Sequence, residues 1–224
     1  MADTFSPRFS ILPEVQRELW NELSPAGELG FVLYGGTAIA LRLGHRISVD
    51  FDFFSEQPLD RKAVRARFPF LANARRIQEE RDTLSFLVGD REGVQPVKVS
   101  FFAGIDFGRV GVPTWTQDRV FQVASLADLM ATKLKVILQR AEAKDYRDIQ
   151  AMLQAGENLA AGLGAARALF GNEFQPTECL KALVYFADGD LDTLSAEEKD
   201  VLVRAVREVR DLPPVSVLAH NLSA

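Results

Sequence analysis

The stretch that most constrains this chain runs from Phe31 to Phe54, FVLYGGTAIALRLGHRISVDFDFF. It reads as a short apolar strand, a turn at Gly35-Gly36, an amphipathic helix, and a second strand carrying two acids one residue apart. Side chains alternate along a strand, so Asp50 and Asp52 share one face while Val49, Phe51 and Phe53 take the other. Two carboxylates held so close repel unless a cation or a proton lies between them, and a hard divalent ion such as Mg²⁺ is the usual solution. Gly35 and Gly36 let the backbone approach a ligand closely, and the N–H groups opening the next helix favour an anion. A phosphate cradle followed by a metal-binding carboxylate pair points to phosphoryl or nucleotidyl transfer.

Each feature also has a plainer reading. A glycine pair marks many tight turns that bind nothing. Two aspartates on a strand form a solvent-facing polar edge in most proteins, although Asp is disfavoured in strands and the intervening aromatics make this pair unusual. Lys133, mid-helix in Ala131-Thr132-Lys133-Leu134-Lys135, is either a surface lysine or a point charge that meets a triphosphate. Asp145 and Asp148 share a helix face at i, i+3, where acids in a first turn also suit the helix dipole. His45 and His220 carry little weight, and Cys179 falls on an apolar helix face as a core residue.

The 224 residues allow one large domain or two small ones. A net charge of −5 excludes an overall basic field, so any nucleic-acid contact must come from a local patch. The candidate patch is Arg61, Lys62, Arg65, Arg67, Arg75 and Arg76; the plainer reading of the run at 61–67 is a solvated face. A single cysteine, Cys179, excludes an intramolecular disulfide and fits a reducing compartment, so the expected location is the cytoplasm. No run approaches the roughly 20 apolar residues of a membrane span, and the N-terminus lacks the pattern of a signal peptide.

The order of elements predicts a mixed α/β domain over 1–122 and a helical domain over 123–224 packed against it. Before the boundary we expect helices at 13–23 and 59–68, strands at 83–88 and 95–102, and short strands at 110–112 and 120–123. After it, helices are expected at 125–140, 142–153, 158–170, 176–186 and 196–209. Ser125 with Asp128, and Ser195 with Glu198, have the spacing of capping boxes.

The diglycine, thirteen residues, then Asp50-Phe51-Asp52 resembles the hG[G/S]…DhDh signature of the nucleotidyltransferase superfamily. Gly35-Gly36-Thr37-Ala38, Gly44-His45-Arg46, Ser48, Asp50-Phe51-Asp52-Phe53-Phe54, and later Lys133, Arg140 and Lys144-Asp145-Tyr146-Arg147-Asp148 are similar to the AbiEii/AbiGii toxin family. The likeness covers roughly residues 30 to 155. It implies an α+β fold, a nucleotidyltransferase-like mixed sheet with flanking helices followed by a C-terminal helical bundle. It further implies transfer of an NMP from an NTP, with Mg²⁺ or Mn²⁺ as cofactor, to an acceptor such as RNA or tRNA, opposed by a separately encoded antitoxin. By position, Gly35, Gly36, Thr37 and Lys133 would bind nucleotide, Asp50 and Asp52 would hold two metals, and Asp145 or Asp148 would be a late catalytic acid. One departure is Ser100, which stands where the superfamily has a third carboxylate. A hydroxyl cannot replace that charge, so either the late acids supply it or the protein binds nucleotide without efficient turnover, as a sensor or interaction partner.

Overall fold

The computed structural model describes residues 3–93 and 95–224. By internal contacts the chain divides into two compact units: residues 1–108, 112–125 and 219–224 form one, and residues 109–111 and 126–218 the other.

The first unit is built on an eight-stranded mixed sheet. Its strands are β1 (Thr4–Phe5), β2 (Val32–Tyr34), β3 (Asp50–Phe54), β4 (Arg75–Glu80), β5 (Thr83–Val88), β6 (Val97–Phe102), β7 (Thr114–Thr116) and β8 (Gln122–Val123), in the order β1-β7-β8-β2-β3-β6-β5-β4. Helices α1 (Glu14–Leu19), α2 (Pro25–Glu28), α3 (Gly35–Leu43) and α4 (Arg61–Arg67) belong to the same unit. One sheet face is the core. Phe51, Phe53 and Phe101 are fully buried, with Phe53 stacked on Phe101 at 5.8 Å and edge-on to Phe121 at 5.5 Å. Half-buried Arg42 ties α3 to the sheet, donating to Ala124 O, Val123 O and Thr114 Oγ1 at 2.8–3.0 Å, and loss of solvation brings its pKa down to about 10.

Helices α5 (Leu126–Val136), α6 (Ala143–Gln154), α7 (Leu159–Phe170), α8 (Pro176–Ala182) and α9 (Ala196–Glu208) make the second unit. α5 and α7 meet closely because Gly162 has no side chain: a Cβ there would come within 2.5 Å of Met130 Cγ. Ser195 and Glu198 close the expected capping box at the start of α9. Cys179 is buried, donates to Leu134 O at 3.5 Å, and has its thiol pushed up to about 12 by burial.

Several expected elements are corrected. No strand forms at 110–112; the backbone N–H groups of Val110 and Gly111 are taken by the buried Asp128 carboxylate at 2.7 and 3.2 Å, and the strand lies at Thr114–Thr116 instead. The segment at 120–123 contributes β8, an interior strand between β7 and β2. α5 stops at Val136 and not at Arg140, since the following amides of Leu138 and Gln139 bond three residues back in a turn. α8 likewise stops at Ala182.

Candidate active site

The strand–turn–helix–strand unit forms as its residues dictate. Gly35 opens α3 with φ +74°, a conformation that costs a side-chain-bearing residue about 1–2 kcal/mol. A Cβ there would also sit 2.8 Å from Asp52 Oδ2. At Gly36 a Cβ would collide with the Arg46 guanidinium and lie 3.3 Å from Ser48 Oγ. A side chain would force Asp52 to shift at Gly35 and Arg46 to shift at Gly36. The buried Thr37 hydroxyl donates to the Asp50 carbonyl and accepts from the Ser48 hydroxyl at 2.8 Å, fastening the start of α3 to the acid-bearing strand. Gly35→Ala is therefore expected to destabilise the protein by at least about 1–2 kcal/mol and to displace Asp52, both read by thermal melting alongside NTP binding.

Along β3 the exposure alternates: Phe51 and Phe53 are buried, while Asp50, Asp52 and Phe54 on the other face are half-buried. β2 pairs antiparallel with Tyr34 opposite Asp52, and β6 pairs in parallel with Lys98 beside Asp50 and Ser100 beside Asp52. Lys98 Nζ stands 4.0 Å from Asp52 Oδ1. Ser100 is fully buried, and its Oγ has no hydrogen-bond partner among the described residues. Among the described residues no three His, Cys, Asp or Glu side chains converge as a metal cluster. The donor set is thus two carboxylates beside a glycine cradle. That set suits Mg²⁺, which is commonly held by one or two carboxylates with the remaining positions filled by substrate phosphates and water.

Comparison with known proteins shows the family. The model of the family described as "Nucleotidyl transferase AbiEii toxin, Type IV TA system" matches residues 21–216. The chain belongs to that family. Uncharacterized protein aq_aa25 of Aquifex aeolicus (strain VF5) is 29% identical over 207 residues, which are 88% of this chain and 97% of that protein. A crystal structure from H. pylori, assigned as a nucleotidyltransferase, matches with a TM-score of 0.57 at 18% identity, over 87% of this chain and 91% of that one. At that identity the likeness speaks for the fold, and it agrees with the mixed sheet and helices described above.

In this AbiEii-family chain the residues expected at the site fall into two groups, each inside its own unit. Gly35, Gly36, Thr37, Asp50 and Asp52 are together in the first. Lys133, Asp145 and Asp148 are together in the second, where the ammonium lies 2.6 Å from Asp145 Oδ1 and 2.8 Å from Asp148 Oδ2. Arg140 also donates to both Asp145 oxygens, at 2.8 and 3.2 Å. Both carboxylates are 0% exposed and Lys133 is 8% exposed in its side chain, so the plain reading of a surface lysine is replaced by a buried ion network.

Burial raises the Asp145 carboxyl, but hydrogen bonds from Arg140 and Lys133 and their charges outweigh it and hold the group below its ordinary value of 3.8. A carboxyl whose folded pKa is depressed adds stability above its unfolded pKa and loses it as pH falls through the folded one. Stability is therefore expected to drop as the pH goes below about 4, and Asp145→Asn is expected to flatten that part of the profile in denaturant melts at stepped pH.

Arg46 over Gly36 and Lys98 beside Asp52 were not singled out as site residues from sequence. The i, i+2 placement of Lys98 and Ser100 on a strand was visible; their alignment with the two acids depends on pairing register. The expected basic patch is largely paired: Arg61, Arg65 and Arg76 gather on Glu79, Arg67 meets Glu28, and Arg75 meets Asp90 at 2.6 Å. Such exposed pairs are worth about 0–1 kcal/mol each, little enough for a phosphate to displace.

Proposed function

We propose that this AbiEii-family nucleotidyltransferase moves an NMP from an NTP to an RNA acceptor at the face formed by Asp50 and Asp52. The observation that carries the reading is the Asp52 carboxylate lying against Gly35, where any side chain would meet it, with Asp50 on the same face of β3. Asp50 and Asp52 would hold a divalent cation, Mg²⁺ or Mn²⁺, which when bound would polarise the phosphates and neutralise developing charge. The backbone at Gly35 and Gly36 receives the β- and γ-phosphates, with Arg46 and Lys98 as flanking cations. The acceptor hydroxyl oxygen bonds to the α-phosphorus as the bond to the bridging oxygen breaks. Pyrophosphate leaves, and the hydroxyl proton passes to a carboxylate of the pair and then to water. An antitoxin encoded separately would oppose the activity in the cytoplasm; among the described residues no helix is long and apolar enough to cross a membrane.

A second reading is favoured by Ser100, whose hydroxyl stands beside Asp52 where a third acid would draw the proton. On that reading the protein binds NTP but turns it over poorly, as a sensor or a partner-held module. Calorimetry with each NTP and Mg²⁺, joined to an assay of label transfer to total RNA, separates the two. Metal-dependent binding with transfer supports the enzyme; binding with no transfer to any RNA supports the second.

A further inference from the structure

We infer that the aromatic end of the carboxylate face is a stacking platform for the terminal nucleobase of the acceptor strand. This rests on the transfer reading above and adds the acceptor's place in it. Strand alternation puts Phe54 on the same face as Asp50 and Asp52, and the β3–β6 register sets Phe102 beside it. The Tyr34 ring lies flat on Phe54 at 4.8 Å and 12°, Phe102 stands edge-on at 5.2 Å, and Phe107 closes the group at 6.3 Å from Tyr34 and 6.5 Å from Phe54. Tyr34 is buried, but Phe54, Phe102 and Phe107 each keep part of their surface in solvent. Phe54 and Phe102 lie on the face opposite the buried Phe51, Phe53 and Phe101, with Tyr34 buried against Phe54.

The order of groups along the face decides the occupant. Gly35 lies against Asp52, Gly36 lies against Ser48 and Thr37 bonds the Asp50 carbonyl, so the phosphate cradle runs along β3 from Asp52 toward Asp50, and Phe54 lies beyond Asp52 at the other end. In an in-line displacement the bond from the acceptor oxygen to the α-phosphorus forms opposite the bond to pyrophosphate that breaks. With pyrophosphate leaving at the glycines, the acceptor approaches from the Phe54 end. Two strand steps separate Asp52 from Phe54, about 7 Å, comparable to the reach from a terminal ribose hydroxyl to its own base. A ring platform there stacks any base, because every base presents a π face. It fits a single-stranded, base-bearing end.

The test uses two labelled single-stranded oligoribonucleotides, identical except that one ends in a purine nucleotide and the other in an abasic ribose. Binding is measured by fluorescence anisotropy, and NTP affinity separately by calorimetry. Wild type is expected to prefer the base-bearing end by about 5- to 100-fold. Phe54→Leu and Phe107→Leu should lose that preference, Phe54→Trp should keep it, and all should bind NTP as wild type does. Equal binding of both oligonucleotides by wild type overturns the inference, as does a preference that survives both leucine variants. Loss of NTP affinity in those variants, with the oligonucleotide preference intact, assigns the rings to the nucleotide's own base and also overturns it. If base-dependent binding holds while no NTP label reaches either oligonucleotide, the platform stands and the transfer reading fails.

Discussion

Asp52→Ala is expected to lower nucleotidyl transfer by on the order of a thousandfold or more, because a bound divalent ion supplies several kcal/mol of transition-state stabilisation and each 1.4 kcal/mol is tenfold. The fold should survive. The Asp52 side chain is 24% exposed, its removal relieves repulsion from Asp50, and Lys98 at 4.0 Å is itself 36% exposed. Melting should therefore shift by no more than about 1 kcal/mol, the scale of exposed ion pairs and surface substitutions. Asp50→Ala should behave alike in the transfer assay, and expressed in cells it should relieve growth arrest. The measurement is label transfer from NTP at matched folded concentration, with Mg²⁺ or Mn²⁺. An Asp52→Ala protein that still transferred at near wild-type rates would leave the glycine cradle with a structural job only.

Much of this site was legible because it is local. The period of two along Asp50-Phe51-Asp52-Phe53-Phe54 fixes which side chains share a face, and the buried Phe51 and Phe53 leave only one face for the acids. The diglycine turn, the helix after it and the capping box at Ser195 depend on neighbours in sequence and formed as expected. What escaped depends on pairing between distant segments. β4, Arg75 to Glu80, has no apolar alternation and is exposed throughout; its strand character comes from the ladder it shares with β5 at the sheet edge. Its charges and its register shift at Arg76/Gln78 suit an edge that must not pair further. Likewise 110–112 looked like a strand from its valines, and Asp128, far along the chain, claims its amides instead. Arg46 and Lys98 belong to the same class: residue types were plain, and only the fold brings them to the glycines and the acids.

The second large effect is expected at Lys133. In Lys133→Ala the two carboxylates of Asp145 and Asp148, both 0% exposed, lose the ammonium between them, while Asp145 keeps the Arg140 bonds given above. Leaving a buried charge without its partner costs about 3–5 kcal/mol, which for a chain of this size lowers Tm by roughly 6–20 °C. Loss of transfer in that variant would not by itself make Lys133 a nucleotide ligand, because the unit around it would be failing too. Removing the whole charge set separates the roles: Lys133→Met with Asp145→Asn and Asp148→Asn takes away the buried ions together, and such replacements are often neutral for stability. We expect the triple variant to regain most of the lost Tm. If transfer returns with it, the network only holds helices α5 and α6 in place; if melting recovers and transfer stays absent, the lysine and the late acids act on the nucleotide, as their likeness to the family implies.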